Sequence, residues 1–468
     1  MTQRLIVVSN RVNPPAGEGE ESVGGLAMAL AAALKAYSGV WFGWSGQTTP
    51  EFTGELNVQE VGGVTAATVD LESIDVDEYY TGYANKTLWP LFHYRTDLAA
   101  FDRAFGEGYR RVNRRFAETL RPLIRPDDLI WAHDYHLIPL ARELRALGVK
   151  NRIGFFLHVP WPAHQVMINL PRHRQLVEAM FDYDLVGFQT AEYQQAFEEY
   201  VLNEAQGVTL PGGGLRAFGR LLEVGHFPIG LDAADFARMT KTSRARRMRD
   251  LMTACTVFRH LIVGVDRLDY SKGLEERFLG FETFLTQNPD LRREVLMLQI
   301  APPSRESVEA YQEIRGRLDA LSGRINGEFA DVDWAPFRWV NRNYRRDELA
   351  GIYGAARVGL VTPLRDGMNL VAKEYVAAQD PADPGVLILS RFAGAARQMG
   401  DALLVNPHSP EEIADALERA LAMEKAERIR RWRALAETVA NEDVTGWRDN
   451  FVAALAGKGA LRPAALAT

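Results

Sequence analysis

Between Val358 and Gln379 the chain reads VGLVTPLRDGMNLVAKEYVAAQ, and this segment is the clearest guide to its architecture. It begins with a short apolar run, turns through a polar loop that contains Asp366 and Gly367, and continues from Leu370 with apolar residues at helical spacing. The pattern predicts a buried strand over Val358–Thr362, a turn, and a helix that begins at Leu370. Strands that alternate with helices in this way are typical of parallel sheets covered on both faces.

The same alternation recurs on both sides of this segment. Predicted strands in the first half of the chain are Leu5–Ser9, Val40–Trp44, Leu129–His133, Ile153–His158 and Leu185–Thr190. Predicted helices there are Leu26–Tyr37, Leu98–Leu120, Leu137–Leu147 and Ala191–Glu204. Further strands in the second half are Leu261–Val265, Val295–Ile300, Phe337–Val340 and Val386–Ser390. Helices in the second half are Leu274–Thr286, Ser307–Leu321, Asp347–Ala355, Leu370–Gln379, and two more within Glu411–Glu437.

Two series of strands and helices predict two doubly wound α/β domains that face each other across a cleft. A proline and a glycine in Phe227–Asp232 interrupt both periodicities, so we place the boundary there, with domains at residues 1–230 and 231–440. Residues 441–456 are expected to form a C-terminal helix that packs back on the first domain, and residues 457–468 to form a frayed tail.

The composition narrows the class of protein. The 468 residues are 47% hydrophobic and 25% charged, which excludes a disordered chain, a collagen-like repeat and a coiled coil. The net charge of −7 argues against nucleic acid or an anionic membrane as the main partner. A single cysteine, Cys255, allows no internal disulfide. Without a recognisable signal peptide or spanning segment, we expect a cytoplasmic protein.

Charged residues follow two of the predicted strands, where parallel sheets bind ligands. Arg267 and Lys272 lie five residues apart on a turn that ends at Gly273, so both cations can converge on one diphosphate. Asp366 lies before a helix whose first N–H groups can bind an anion, and Glu374 lies one turn into that helix. The alternatives are a solvated basic turn paired with Asp266 or Asp269, and an ordinary helix capped by Asp366.

Other motifs are weaker taken singly. Gly24-Gly25 before a helix allows close approach of a phosphate but is more often a plain turn. The dinucleotide fingerprint Gly-x-Gly-x-x-Gly is absent, so no nicotinamide cofactor is predicted. His133 and His136 have no third ligand at a defined spacing, and the scattered Asp-x-Asp triplets look like chance, so no metal is predicted.

Taken together, these segments closely resemble the trehalose-6-phosphate synthase family, retaining glycosyltransferases of the two-Rossmann GT-B type. The resemblance runs from about Leu5 to Phe451 and includes WAHDYHL, RLDYSKG and PLRDGMNLVAKEY. It implies transfer of glucose from UDP-glucose to glucose 6-phosphate with retention, with no cofactor besides this co-substrate. It also implies an acceptor-binding first domain, a nucleotide-sugar-binding second domain, and a homo-oligomer (dimer or tetramer).

The resemblance also implies roles for individual residues. Residues expected to bind the donor are Gly24, Gly25, Arg267, Lys272, Tyr344, Asp366, Gly367, Met368, Asn369, Leu370 and Glu374, the last on the ribose. Residues expected to hold the acceptor are Arg11, Tyr80, Asp134 and Arg305, with Trp89 and Val159 selecting its anomer. Residues expected to take part in catalysis are Arg267, Lys272, His158 and Asp134.

The sequence departs from the family pattern at three places. Trp161 and Tyr344 stand where phenylalanine is expected, and the loop Asn13–Ser22 differs in length and charge. The nearest alternative function keeps the donor and changes the acceptor, to glycerol 3-phosphate or a cyclitol phosphate, in a related glycosyltransferase or pseudo-glycosyltransferase. A sugar-nucleotide sensor without catalysis and a nucleotide-sugar epimerase are the alternatives from other classes.

Overall fold

The computed structural model describes residues 3–12, 34, 37, 39–61, 63–211, 213–256, 259–305 and 308–458. Its contacts divide the chain into two units. Unit 1 comprises Met1–Ile229 together with Thr445–Thr468, and unit 2 comprises Gly230–Val444. No helix among the described residues combines the length and the apolar character needed to cross a membrane.

Unit 1 is built on one sheet, which among the described residues has ten strands in the order β3-β4-β2-β1-β5-β6-β7-β10-β9-β8. The strands are β1 Leu5–Arg11, β2 Val40–Thr49, β3 Asn57–Val61, β4 Val64–Glu72, β5 Leu129–His133, β6 Ile153–Phe156, β7 Leu185–Phe188, β8 Val208–Thr209, β9 Gly214–Ala217 and β10 Arg220–His226. Pairing is parallel from β4 through to β10, and β3, β9 and β8 add antiparallel edges.

Unit 2 has a sheet of six described strands, all parallel, in the order β13-β12-β11-β14-β15-β16. They are β11 His260–Val265, β12 Val295–Ile300, β13 Phe337–Val340, β14 Val358–Val361, β15 Val386–Ser390 and β16 Leu403–Val405. This is the strand order of a Rossmann sheet, which reverses between β11 and β14. In unit 1 the corresponding reversal falls between β1 and β5. Ligands of such sheets bind beyond the strand ends at these reversals.

Helices connect the strands in both units. Those that precede β11 are α1 Ser73–Asp75, α2 Trp89–Phe92, α3 Arg103–Leu120, α4 Leu140–Ala146, α5 His164–Met167, α6 His173–Met180, α7 Ala191–Glu204, α8 Ala233–Met239 and α9 Ser243–Thr256. Those that follow are α10 Leu274–Gln287, α11 Glu309–Phe329, α12 Arg346–Ala355, α13 Leu370–Ala377, α14 Pro410–Ala422, α15 Lys425–Asn441 and α16 Val444–Leu455. A π-helical segment, Val76–Leu88, joins α1 to α2.

All ten strands predicted from the sequence are present, and the predicted helices that the structure describes differ mainly at their ends. Helix α3 begins at Arg103 rather than at Leu98, because the side chain of Asp102 accepts a hydrogen bond from the Ala104 amide and caps it. Helix α11 extends to Phe329, beyond its predicted end. Most of the predicted helix Leu26–Tyr37 and most of the tail lie outside the described residues.

The elements that were not predicted are the strands β3, β4, β8, β9, β10 and β16, the helices α1, α2, α5, α6, α8 and α9, and the π-helical segment. Strand β3 is exposed along almost its whole length, so it has no apolar alternation to detect. Pro211 follows β8 and Gly213 precedes β9. These two strands pair antiparallel within unit 1, in agreement with a hairpin in the first domain.

Helix α16 covers the centre of the sheet of unit 1. The ring of Phe451 is fully buried and stacks on Trp131 at 4.6 Å between ring centroids. It lies directly over Gly154 of β6 and Gly187 of β7, where an added Cβ would come within 2.8 and 2.7 Å of the ring. The two glycines therefore make room for an aromatic side chain that joins the end of the chain to the first sheet.

We predict that Phe451→Ala destabilises unit 1 by about 3–5 kcal/mol, because the cavity left over two glycines cannot be filled by neighbouring side chains. Unfolding in urea, followed by circular dichroism, measures the change. Leu221→Ala, at a side chain 64% exposed, serves as the control and should change stability by less than about 0.5 kcal/mol. Equal effects of the two substitutions would contradict the packing described for α16.

Candidate active site

Two predicted donor-binding segments meet in unit 2 where its strand order reverses. Strands β11 and β14 are direct neighbours, and the turns that follow them carry Lys272 and Asp366. The ammonium Nζ of Lys272 lies 2.5 Å from Oδ2 of Asp366, and both side chains are largely buried. Neither predicted partner, Asp266 or Asp269, forms this ion pair. Arg267, on the same turn as Lys272, is exposed.

The turn that carries Lys272 is held against the end of β14 by Gly273. Its φ of +62° lies in the left-handed region, and an added Cβ would collide with the carbonyl oxygen of Thr362. The amide of Leu364 in turn donates to the carbonyl of Ser271 at 2.9 Å. Close backbone contact between the two loops thus sets the position of the lysine beside Asp366.

A buried arginine holds together the strand ends from which these loops begin. The guanidinium of Arg277 on α10 is fully buried and forms a 2.6 Å ion pair with Asp266 at the end of β11. It also donates to Gln299 of β12 at 2.8 Å and to Thr362 after β14 at 3.0 Å. Burial raises the pKa of Asp266, and the charge of Arg277 opposes that effect. One side chain therefore fixes the ends of three adjacent strands.

Arg305, predicted as an acceptor ligand, lies in unit 2 after β12. Its Nη1 is 3.3 Å from Oδ2 of Asp269 and 2.5 Å from the hydroxyl of Tyr311. Burial alone would raise the pKa of Asp269, but Arg305, Lys272 and Arg267 outweigh it and hold the pKa below its usual value. Asp269 therefore stays ionised at the centre of three cations.

The helix that follows Asp366 is capped by Asn369 rather than by Asp366. Asn369 has a φ of +80°, and its side-chain oxygen accepts from the Ala372 amide at 3.3 Å. Its Nδ2 donates to Oδ2 of Asp366 at 3.1 Å, so that oxygen accepts from both Asn369 and Lys272. The alternative in which Asp366 caps this helix is therefore wrong. The carboxylate of Asp366 instead links Lys272 to Asn369 at the N-terminus of α13.

Glu374 lies one turn into α13 and is mostly buried. Burial raises its pKa to about 7, and Arg346, whose Nη2 is 3.9 Å away, acts in the opposite direction. The carboxyl group therefore titrates near neutral pH, well above the ordinary range of a glutamate. Such a group can gain or lose a proton in response to small changes in its surroundings.

The remaining predicted donor residues of unit 2 lie on the same two elements or near them. Gly367 and Met368 occupy a loop held by two backbone hydrogen bonds, from Gly394 to Asp366 at 3.2 Å and from Ala395 to Met368 at 2.8 Å. Tyr344 follows β13, and Arg342 lies over its ring at 4.5 Å. Gly24 and Gly25, as well as the loop Asn13–Ser22, lie outside the described residues.

Unit 1 brings Arg11 and Tyr80 together through an aromatic side chain. The guanidinium of Arg11 lies 5.9 Å from the ring of Trp44, which contacts the ring of Tyr80 at 5.7 Å. Tyr80 stacks on His136 at 5.9 Å with nearly parallel planes. Gly46, with a φ of +90°, leaves space for the guanidinium, since an added Cβ would collide with it. The cation is thus positioned by an aromatic wall and by close backbone approach.

His158 takes part in a short hydrogen-bonded chain. Oε1 of Gln189 accepts from the Ile229 amide at 3.0 Å, so its Nε2 is the donor toward Nδ1 of His158 at 3.3 Å. The proton of His158 then lies on Nε2, which faces Nδ1 of His133 at 3.0 Å. Burial lowers the pKa of His158 to about 3. This histidine is a neutral group and not a proton donor of the imidazolium type.

Asp134 has a strained backbone next to this histidine. Its φ is +75°, and its carboxylate accepts from the His158 amide at 3.2 Å. Trp89 and Val159, predicted to select the anomer, are both almost fully buried, with Trp89 packed on His93 at 4.1 Å. Trp161 is also buried, among Phe and Tyr side chains of α2, β7 and α7. Its indole therefore belongs to the core of unit 1.

The carboxylates considered as metal ligands have other partners. Asp182 pairs with Arg142 and Arg220, and Asp331 pairs with Arg293. Among the described residues, no group of three or more histidine, cysteine, aspartate or glutamate side chains could hold a metal ion.

Three residues that sequence reasoning missed support these side chains. Gln189 orients His158, Arg277 fixes the strand ends of unit 2, and Gly46 makes room for Arg11. Gln189 directly follows β7, so its place at a strand end is the one sequence signal that could have indicated it. Nothing local distinguishes Arg277 from a surface arginine, because its partners lie on three other segments.

The chain is similar to known proteins over nearly its whole length. The model of glycosyltransferase family 20 matches residues 3–457. The chain belongs to this family. A trehalose-6-phosphate synthase from Sinorhizobium fredii is 48% identical over 96% of this chain and 97% of its own length. The GT-B fold class predicted from the sequence, with two Rossmann-like parallel-sheet domains, is confirmed.

Two solved structures of relatives carry ligands. An α,α-trehalose-phosphate synthase (UDP-forming) from Burkholderia xenovorans, in complex with glucose-6-phosphate, is 52% identical, with a TM-score of 0.93 over 97% of this chain and 100% of the other. An Escherichia coli protein bound with UDP-2-fluoro glucose is 45% identical, with a TM-score of 0.92 over 97% and 99% of the two chains.

Proposed function

We propose that this chain is a UDP-forming α,α-trehalose-phosphate synthase. It transfers glucose from UDP-glucose to glucose 6-phosphate with retention of configuration, and it releases trehalose 6-phosphate and UDP. The observation that carries the proposal is the buried Lys272 beside Asp366 and the N-terminus of α13, at the reversal of the unit 2 sheet. The similarity to relatives with this activity, over nearly the whole chain, supports it.

The donor is held by unit 2 in this proposal. Lys272 and Arg267 neutralise the diphosphate, while free N–H groups at the start of α13 add positive partial charge. Glu374 accepts hydrogen bonds from the two ribose hydroxyls when its carboxyl group is ionised. Tyr344 lies near the uracil. These cations contribute most in the transition state, because negative charge grows on the leaving oxygen as its bond to C1 of glucose breaks.

Transfer takes place on one face of the glucose ring. The bond from C1 to the diphosphate oxygen breaks, the hydroxyl oxygen at C1 of the acceptor bonds to the same carbon, and its proton passes to the departing diphosphate. This path needs no carboxylate nucleophile and no metal. The neutral His158 suits it, since that histidine lies against the transferred glucose without supplying a charge or an acid.

The acceptor is held by Arg11, Tyr80, Asp134 and Arg305 in this proposal. Arg11 and Arg305 bind its phosphate, and Tyr80 contacts the sugar. The absence of any metal or cofactor requirement, the homo-oligomer and the cytoplasmic location stay predictions. So does the choice of glucose 6-phosphate over glycerol 3-phosphate or a cyclitol phosphate, because guanidinium groups recognise a phosphate rather than one particular sugar.

Product analysis tests the function directly. We expect trehalose 6-phosphate and UDP to form in equal amounts when the enzyme is incubated with UDP-glucose and glucose 6-phosphate, measured by mass spectrometry and proton NMR. No product should form without the acceptor. An epimerised sugar nucleotide in that control would support the epimerase. No turnover despite donor binding would support the sensor, and turnover with glycerol 3-phosphate alone would support the alternative acceptor.

Lys272→Ala should lower kcat by roughly 100-fold or more, because it removes a positioned cation from the leaving diphosphate. Steady-state kinetics measure the loss, and thermal unfolding checks that the variant stays folded. Lys241→Ala, at an exposed lysine outside the site, is the matched control and should keep wild-type turnover. A folded Lys272→Ala enzyme with wild-type kcat would remove the lysine from this role.

The KM for UDP-glucose should fall as pH rises from about 6 to about 8, since the pKa of Glu374 is about 7 and only its ionised form accepts both ribose hydrogen bonds. In Glu374→Gln the KM should be raised and insensitive to pH over this range. Glucose 6-phosphate is kept saturating, because its phosphate titrates near pH 6. Glu118→Gln, at an exposed glutamate, is the control. A wild-type pH dependence in Glu374→Gln would refute the assignment.

A further inference from the structure

A cavity of about 550 Å³ opens at the surface of unit 1. It lies between the π-helical segment and helices α3, α4 and α6, and none of Arg11, Tyr80, Asp134 or His158 lines it. Its volume is in the range of small-molecule sites, about 300–1,000 Å³. We call it the tyrosine cavity, after Tyr83 and Tyr109, which line it.

One part of the wall of the tyrosine cavity is apolar and aromatic. Tyr109, Leu170 and Leu176 are buried, and the rings of Tyr83 and Tyr109 contact each other at 4.4 Å between centroids. Phe101 lines the same cavity and is 45% exposed, which is unusual for so large an apolar side chain. Flat aromatic surface with a polar edge suits the C–H face of a sugar ring.

Two arginines of this cavity form no ion pair with any described residue. They are Arg110 on α3 and Arg172, which precedes α6 with a φ of +61°. The other lining arginines are paired, Arg103 with Glu107, and Arg142 with Glu178 and Asp182.

The lining carboxylates are also engaged within unit 1. Asp102 caps α3, Glu143 pairs with Arg114, and Glu178 pairs with Arg142. The cavity therefore offers two exposed guanidinium groups that form no ion pair with a described residue. The nearby carboxylate of Glu107 is already paired with Arg103, and its pKa is lowered by that hydrogen bond first and by the charges of Arg110 and Arg172 after it.

The two arginines act on the same hydroxyl group. Burial raises the pKa of Tyr83 to about 12, and the charges of Arg110 and Arg172 both oppose that rise. Tyr83, Arg110 and Arg172 also all line the same cavity. That hydroxyl donates no hydrogen bond to any described residue, so it can bind a ligand together with the two cations.

We propose that the tyrosine cavity is a second ligand site, which binds a sugar phosphate independently of the active site. Arg110 and Arg172 bind the phosphate, Tyr83 donates a hydrogen bond, and the sugar ring packs on Tyr83 and Phe101. Guanidinium groups suit this ligand because each can form two hydrogen bonds to phosphate oxygens.

The site also lies next to the predicted acceptor wall. Tyr109 contacts Tyr79 at 5.9 Å, Tyr79 contacts His136 at 6.2 Å, and His136 stacks on Tyr80. A continuous row of aromatic rings therefore joins the two places.

Calorimetric titration tests the proposal with α-glucose 1-phosphate as the probe, because its blocked C1 prevents it from acting as an acceptor. The enzyme is first saturated with UDP alone, which occupies the donor site, because free glucose 6-phosphate would compete with the probe for the tyrosine cavity. The same titration in Arg11→Ala, which lacks a predicted phosphate ligand of the acceptor site, should give the same affinity as in the wild-type enzyme. We expect the probe to bind the wild-type enzyme. Its affinity should fall at least about 10-fold in the double variant Arg110→Ala/Arg172→Ala, since two charged hydrogen-bonding groups are lost.

Two further variants keep the test decisive. Tyr83→Phe removes one hydroxyl, keeps the ring, and should also weaken binding. Arg121→Ala, at an exposed arginine outside the cavity, should leave it unchanged. The proposal is wrong if the probe does not bind, or if the double variant binds it as tightly as wild type. Sedimentation of the double variant tests the remaining alternative. If the double variant breaks an oligomer and the wild-type enzyme does not bind the probe, the cavity is a contact between copies and the proposal is wrong. Loss of trehalose 6-phosphate synthesis does not bear on these outcomes.

Discussion

The geometry of unit 2 depends on the buried ion pair between Arg277 and Asp266. Burying two charges is costly, and the cost is offset only when every remaining hydrogen-bonding group is satisfied. Arg277 meets this condition by also donating to Gln299, Thr362 and the carbonyl oxygen of Lys272. The ion pair thus joins α10 to the ends of β11, β12 and β14. The position of the turn that carries Lys272 is set by these hydrogen bonds of Arg277 and not by the sequence of the turn alone.

Three loops that follow parallel strands carry a non-glycine residue in the left-handed region. Asp134, Arg305 and Asn369 have φ values of +75°, +50° and +80°, although none is a glycine. Each such conformation has an energetic cost and persists only where surrounding contacts impose it. Here Asp134 is held by the His158 amide, and Asn369 by its cap on α13. The strain falls on residues that bear polar side chains at strand ends, which is where a parallel sheet offers space for ligands.

Ten strands of the two sheets could be predicted from the sequence. The residues that hold the site side chains in position could not. Buried β-branched runs such as Leu261–Val265 are local signals, and charged residues directly after them, such as Lys272 and Asp366, follow from the same reading. The roles of Arg277 and Gly46 were not predicted, because their partners lie far away in the chain. The π-helical segment was not predicted, because the spacing of its apolar residues matches neither a strand nor an α-helix. What could be predicted is set by neighbours in sequence, and what could not is set by neighbours in space.

The pairing of Lys272 with Asp366 also explains how a strong cation can be kept in place beside a helix N-terminus. The ammonium and the positive end of α13 repel each other, and the carboxylate between them, anchored by Asn369, removes that repulsion. The lysine is therefore oriented before any ligand arrives, so little reorganisation is needed when negative charge develops nearby. Asp269 orients Arg305 in the same way, through an ion pair at the neighbouring strand end. Carboxylates at these two strand ends thus hold the cations in fixed positions.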